Sequence, residues 1–476
     1  MRPSVAVAVT ASLLGTSLDA IHLVKRGDGL PPRVVEHSIQ RRNIDSPLQH
    51  DRRRRSLRKR DALGVTLDNA EALYFANVSI ATPEQKFRLQ LDTGSSDLWV
   101  NVARSHVCKQ RGSLCSISGT YSANDSSTSS YVNSDFNISY VDGSGATGDY
   151  VTDVVKIGGA TLETQQIGVG YTSTSEEGIL GLGYPRNEVV VQYNGGKAYP
   201  NVPQNLVDTG VINSNAYSLW LNDLDASTGS ILFGGVNTAK YTGALETLPI
   251  VKEQGVYAEF IIALTAVGAN GQSGSIASNQ RIPALLDSGS SLTYLPNDIA
   301  QSIYHSVSAQ YDSSQGAAFV DCSLGDSDST IDFTFSSPTI QVPLNELVIV
   351  AGTDRGQDVC ILGIAPADGS TPVLGDTFLR SAYVVYDIAQ NEISLAQTSF
   401  NSTSNNILEI TNSTGVPDAT AVSNPVTDVA VSGSGARIGG GAGSTLTMDA
   451  AAQPTAPPGW NLAALGAAAG AALYAF

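Results

Sequence analysis

The stretch Leu91-Asp92-Thr93-Gly94-Ser95-Ser96-Asp97-Leu98-Trp99-Val100 places an Asp where an apolar run breaks into a turn of small residues, and it has a counterpart in Leu285-Leu286-Asp287-Ser288-Gly289-Ser290-Ser291-Leu292-Thr293-Tyr294. One such string carries the ordinary false-positive risk of a short motif, and a single Asp among Gly and Ser is usually a turn residue. Two copies reverse that weighting, because internal repetition constrains the whole chain. A second anchor repeats at nearly the same offset: Gly181, in Gly178-Ile179-Leu180-Gly181, lies 89 residues after Asp92, and Gly375, in Pro372-Val373-Leu374-Gly375, lies 88 residues after Asp287. The common spacing predicts two copies of one lobe, each with an Asp at a strand-to-turn junction beside a buried apolar-Gly strand. Where the copies meet face to face, the two carboxylates meet as well.

The chain of 476 residues is long enough for more than one lobe, and 42% apolar residues are ample for a core. Its net charge of −17 is unevenly placed. Residues 1–60 hold 13 of the 27 Lys and Arg but 5 of the 44 Asp and Glu, so from Asp61 onward 14 basic residues face 39 acidic ones. That balance argues against nucleic acid as a partner and suits work in acid, with a merely soluble surface as the bland alternative. Four cysteines permit three connectivities. Pairing Cys108 with Cys115 and Cys322 with Cys360 keeps each bond within one proposed lobe, and a zinc site lacks its C-x2-C spacing.

Residues 1–20 have the layout of a secretory signal peptide, with an apolar run from Val5 to Leu14 too short to span a bilayer. Residues 21–60 are basic and end in Lys59-Arg60, which reads as a propeptide with a processing site for a kexin-like protease. Residues 61–240 and 241–400 form the two lobes, an all-β pattern of short strands with few helices. Strands are expected around 74–80, 87–91 and 383–387, and helices over 201–209 and 298–311. Beyond Phe400, Ser, Thr, Gly and Pro predict a disordered stalk at 401–450. The apolar, uncharged end within 451–476 reads as a GPI-attachment signal that is removed, giving a membrane link through the lipid. Sequons at Asn77, Asn124, Asn137, Asn401 and Asn412 fit a secretory route, although Asn77 and Asn137 lie in strand-like stretches.

Two carboxylates held within a few ångströms cannot both be charged cheaply, so the pair shares a proton and supplies an acid and a base at one place. The ionised member can deprotonate a water while the protonated member hydrogen-bonds a carbonyl oxygen. Gly94 and Gly289 permit close backbone approach, and Ser95 and Ser290 can hold the outer carboxylate oxygens. Of five His residues only His106 and His305 fall outside the basic leader, so no Ser-His-Asp or His-metal constellation assembles, and no metal or cofactor is expected. Two carboxylates could also serve a glycosidase, which the symmetric Gly/Ser turns disfavour.

With these motifs, Asp61–Phe400 resembles the pepsin-type aspartic endopeptidases, most of all the fungal GPI-anchored yapsins, with the candidapepsins close. Asp92-Thr93-Gly94-Ser95 and Asp287-Ser288-Gly289-Ser290 match the family's two catalytic turns, and Leu374-Gly375-Asp376-Thr377-Phe378-Leu379-Arg380 its closing segment. The resemblance implies a bilobal fold with the site between the lobes and Asp92 and Asp287 as the catalytic pair. It also implies a substrate-covering hairpin at Tyr140-Val141-Asp142-Gly143, with Trp99 partnering the Tyr140 hydroxyl. Val141 departs from the Gly often found there, and Ser290 from the commoner Thr. Asp97 and Asp376 are expected to be structural. The implied activity is a monomeric, acid-optimum peptidase made as a zymogen and held at the plasma membrane or cell wall. A preference for Lys or Arg at the scissile bond is expected from the resemblance, from Asp142 and from the acidic surface. A catalytically inactive wall protein on the same fold is the alternative, against which both intact Asp turns argue.

Overall fold

The computed structural model describes residues 32–43, 72–140, 144–226, 228–413, 415–429 and 431. The expected signal peptide, the Lys59-Arg60 stop, Val141, Asp142 and Gly143, and the expected anchor signal lie outside the described residues.

Eight strands build the Asp92 side: β1 (Val35–Asn43), β2 (Ala72–Ile80), β3 (Gln85–Asp92), β4 (Leu98–Asn101), β5 (Ser130–Ser139), β6 (Gly145–Ile157), β7 (Ala160–Ser173) and β8 (Ile179–Gly181). Period-two alternation sets their faces. In β3, Phe87, Leu89 and Leu91 enter the main core, which leaves Arg88 and Gln90 on the opposite face. In β2, Tyr74, Ala76, Val78 and Ile80 join that core, and Leu73 with Phe75 form a separate apolar pair on the other face.

β1 comes from the leader expected to be removed, yet it is an interior strand. Ile39 pairs with Ala76 of β2 on one side and with Gly229 of the strand Thr228–Phe233 on the other. Its Val35-x-His37-x-Ile39 alternation is masked in the sequence by the basic residues around it. The sheet it joins has fourteen strands and takes in Tyr241–Pro249, Ala382–Asp387 and Glu392–Thr398, so strands from both expected lobes share it.

On the Asp287 side, Ile282–Leu286 lies between Ile261–Leu264 and Val373–Leu374 in a five-stranded sheet, with two four-stranded sheets beyond it. Both disulfides, Cys108–Cys115 and Cys322–Cys360, are formed. The fold is mostly β, as the strand pattern predicts.

Two expectations need correction. The helix expected over 298–311 is Asn297–Ser306, because Ser308 turns into the left-handed region at φ 57° and Gln310–Asp312 then pairs with Ala317–Val320. The tail after Phe400 is not an unfolded stalk as far as it is described. Ile407–Glu409 pairs with Gly235–Asn237, and Ala419–Ala421 runs parallel to Tyr241–Pro249. Average composition hid Ile407 and Ile410, both fully buried.

Candidate active site

Asp92 closes β3, and Asp287 follows Ile282–Leu286; both side chains are buried. The repeated glycine anchors lie beside them. Asp92 is level with Gly181 across the parallel β3–β8 pair, and the Asp287 N–H donates to the Leu374 carbonyl at 3.1 Å.

The two turns mirror each other. The Gly94 N–H donates to Asp92 Oδ1 at 2.9 Å, and the Gly289 N–H to Asp287 Oδ1 at 2.9 Å. Ser95 Oγ donates to Asp92 Oδ2 at 2.5 Å, and Ser290 Oγ to Asp287 Oδ2 at 2.8 Å. Each outer oxygen is therefore held by a hydroxyl. The Gly94 N–H also reaches Asp287 Oδ1 at 3.1 Å, so one amide serves the inner oxygens of both carboxylates.

Beneath the pair the turns grip each other. Ser288 Oγ donates to the Leu91 carbonyl at 3.1 Å and accepts the Thr93 N–H at 3.2 Å. Thr93 Oγ1 donates to the Leu286 carbonyl at 2.9 Å and accepts the Ser288 N–H at 3.0 Å. All these groups are buried, so the cross-connection fixes the spacing of the carboxylates without competition from water.

Tyr140 directly follows β5 as the last described residue before the hairpin tip, and its hydroxyl accepts the Trp99 Nε1 proton at 2.6 Å. The two rings pack with Phe136, Tyr150 and Tyr199 in one cluster. Asp97 anchors that cluster from below: Oδ1 accepts the Tyr150 and Tyr199 hydroxyls at 2.7 and 2.8 Å, and Oδ2 accepts the Val189 N–H at 3.0 Å. Glu188 is fully buried beside it and accepts the Tyr199 N–H at 2.8 Å. Burial, then the charge of Asp97, push the Glu188 carboxyl up to about 10.

Sequence reasoning did not single out Gln90, whose Nε2 donates to the Gly289 carbonyl at 3.3 Å across the site. A polar residue between Leu89 and Leu91 was the available signal. Glu188 was missed because its role depends on Tyr199 and Asp97, which only the fold brings to it.

Among the sequons, Asn77, Asn124 and Asn412 are exposed, Asn137 is half-buried, and Asn401 donates through Nδ2 to Asp223 at 3.0 Å. Among the described residues no group of acidic, His and Cys side chains could hold a metal ion.

Two mirrored Asp turns gripped together in a mostly β fold define the class of aspartic peptidases. Residues 73–398 match the model of the eukaryotic aspartyl proteases, and the chain belongs to that family. It is 56% identical over 424 residues to "Probable aspartic-type endopeptidase opsB" of Aspergillus fumigatus, covering 87% of each chain. It is 41% identical over 360 residues to "Candidapepsin-1" of Candida albicans, covering 73% of this chain and 86% of that one. The crystal structure of the aspartic proteinase from Irpex lacteus shares the fold, with a TM-score of 0.58 at 22% identity over 78% of this chain and all of the other. The chain is an aspartic-type endopeptidase.

Proposed function

We propose that Asp92 and Asp287 hydrolyse peptide bonds as a proton-sharing pair, in a precursor that is secreted, freed of its leader after Arg60 and held at the cell surface by a GPI lipid. The observation that carries the chemistry is the single Gly94 N–H serving both inner carboxylate oxygens. With the outer oxygens held by Ser95 and Ser290, the inner oxygens are left to the reaction.

The ionised carboxylate takes a proton from a bound water as its oxygen attacks the peptide carbonyl carbon. The protonated partner hydrogen-bonds the carbonyl oxygen and donates to it, giving a tetrahedral diol. The acquired proton then passes to the leaving nitrogen while a diol hydroxyl returns its proton to the partner. The C–N bond breaks, and the pair again holds one proton. Tyr140, with its hydroxyl fixed by Trp99, covers the substrate from the hairpin.

The acidic balance after Asp61 supports substrates with Lys or Arg at the scissile bond. The disulfides and the exposed sequons support passage through the secretory route.

The test is enzyme folded as the full chain and then cleaved after Arg60, assayed on peptides across pH with and without pepstatin. Asp287→Asn is expected to lower kcat by about 10³-fold or more while near-UV circular dichroism is unchanged. Normal turnover in that variant refutes the mechanism, and equal cleavage of dibasic and apolar peptides refutes the specificity.

A further inference from the structure

We propose that Glu177 and Phe75 form a subsite for a basic side chain of the substrate, displaced from the scissile bond, which Arg42 of the leader fills in the precursor. The inference rests on the reading above that the chain is cleaved after Arg60, so that Arg42 leaves and Glu177 and Phe75 stay.

The occupant is present in the structure. The Arg42 guanidinium forms an ion pair with Glu177 and stacks over the Phe75 ring at 5.2 Å. Glu177 has 8% of its side-chain surface exposed and Arg42 19%, so the pair is shielded from water and screened less than an exposed contact. Arg88 lies over the same ring at 4.8 Å and repels Arg42, so it is the Glu177 carboxylate, facing both guanidinium groups, that makes room for the second one. Phe75 and Leu73, both fully buried, supply an apolar floor for the methylene stem of a long basic residue.

The place suits a substrate site. Arg42 pairs with Leu73, and Phe75 pairs with Gln90, so Arg42, Leu73, Phe75, Arg88 and Gln90 share one face of the sheet. On that face Gln90 reaches the Gly289 carbonyl in the Asp287 turn. Ile179 of β8 is level with Gln90, and Glu177, two residues before it, acts electrostatically on Arg88, which is four residues back from Asp92. At roughly 3.3 Å per residue this is about 13 Å, the length of three to four residues of an extended peptide. A basic residue held there is not the one at the scissile bond, so the two preferences are separable.

The experiment uses enzyme folded as the full chain and then freed of its leader by cleavage after Arg60, with peptides in which one Arg, or norleucine in its place, is moved along both sides of a fixed scissile bond. The expected wild-type profile has an Arg-over-norleucine ratio of kcat/KM that peaks three or four residues from the bond. In Glu177→Gln that ratio falls about tenfold and in Phe75→Leu severalfold, with Glu177→Asp restoring part of it. A synthetic peptide of residues 32–43 is expected to inhibit competitively, and its Arg42→Ala form to bind about tenfold more weakly. Either of two results overturns the subsite: a wild-type profile flat at the displaced position, or a Glu177→Gln enzyme that loses affinity for the leader peptide and keeps the Arg ratio. Phe75→Leu gives the same reading should Glu177→Gln not fold. Preference at the scissile bond is read from the same peptides, so its absence is distinguishable from failure of the displaced site.

Discussion

At Gly94 and Gly289 a single added carbon decides the chemistry. A Cβ on Gly289 would lie 2.5 Å from Asp92 Oδ1, and one on Gly94 would lie 2.6 Å from Asp287 Oδ1. Neither carboxylate can swing away, because Ser95, Ser290 and the turn amides hold both of its oxygens. Gly289→Ala is therefore expected to displace Asp92 and lower kcat by about 100-fold or more. Steady-state kinetics on one good peptide, beside a urea melt to show that the variant folds, checks this; unchanged kcat contradicts it. These glycines were legible in the sequence as part of the repeat. The atoms they make room for were not, since Asp92 and Asp287 are 195 positions apart.

The segment from Glu188 to Tyr199 links pH to stability at the scale of an element. It is tied to the body of the protein by Asp97, which takes the Val189 amide and the Tyr199 hydroxyl, and by Glu188, which takes the Tyr199 amide. The Glu188 carboxyl is raised from 4.5 to about 10, by burial first and the charge of Asp97 second. A carboxyl raised in the folded state binds its proton more tightly folded than unfolded. Stability is then full below pH 4.5 and declines as pH rises toward 10. The Asp387 and Glu253 carboxyls, raised by burial to about 6 and about 7, act in the same direction over narrower windows. Glu188→Gln is expected to be more stable than wild type by about 3 kcal/mol at pH 7, with little difference at pH 4. Urea unfolding at the two pH values measures it, and parallel losses in both proteins would contradict it. Nothing in Asn187-Glu188-Val189 signals this, because the shift comes from neighbours that the chain reaches only by folding.

For the molecule as a whole, the described tail is part of the folded body. Ile407 and Ile410 are fully buried, and Val422 is nearly so. Burying such side chains stabilises by about 1.5–3 kcal/mol each, so a protein ending at Phe400 is expected to be less stable than one ending at Val431 by roughly 5 kcal/mol. Equal urea midpoints for the two, both carrying the chain from its N-terminus, would contradict this. The same tail shows the limit of composition as a guide. Ser and Thr dominate the average, while the few apolar residues that matter are spaced to meet strands Gly235–Asn237 and Tyr241–Pro249.

The sequence by itself determined what is repeated or local. Two Asp turns with a glycine anchor at a common offset imply twinned lobes with paired carboxylates, and alternating apolar residues imply strands. Tertiary structure alone decided which distant groups share an environment. It set one Gly94 amide between two carboxylates, inserted β1 of the basic N-terminal segment into the main sheet, and put Arg42 against Glu177 and Phe75. The physical reason is that repeats and alternation are written along the chain, whereas burial, charge and hydrogen bonding depend on neighbours in space. The opening repeat thus named the two Asp residues, and the fold supplied the surroundings in which they can work.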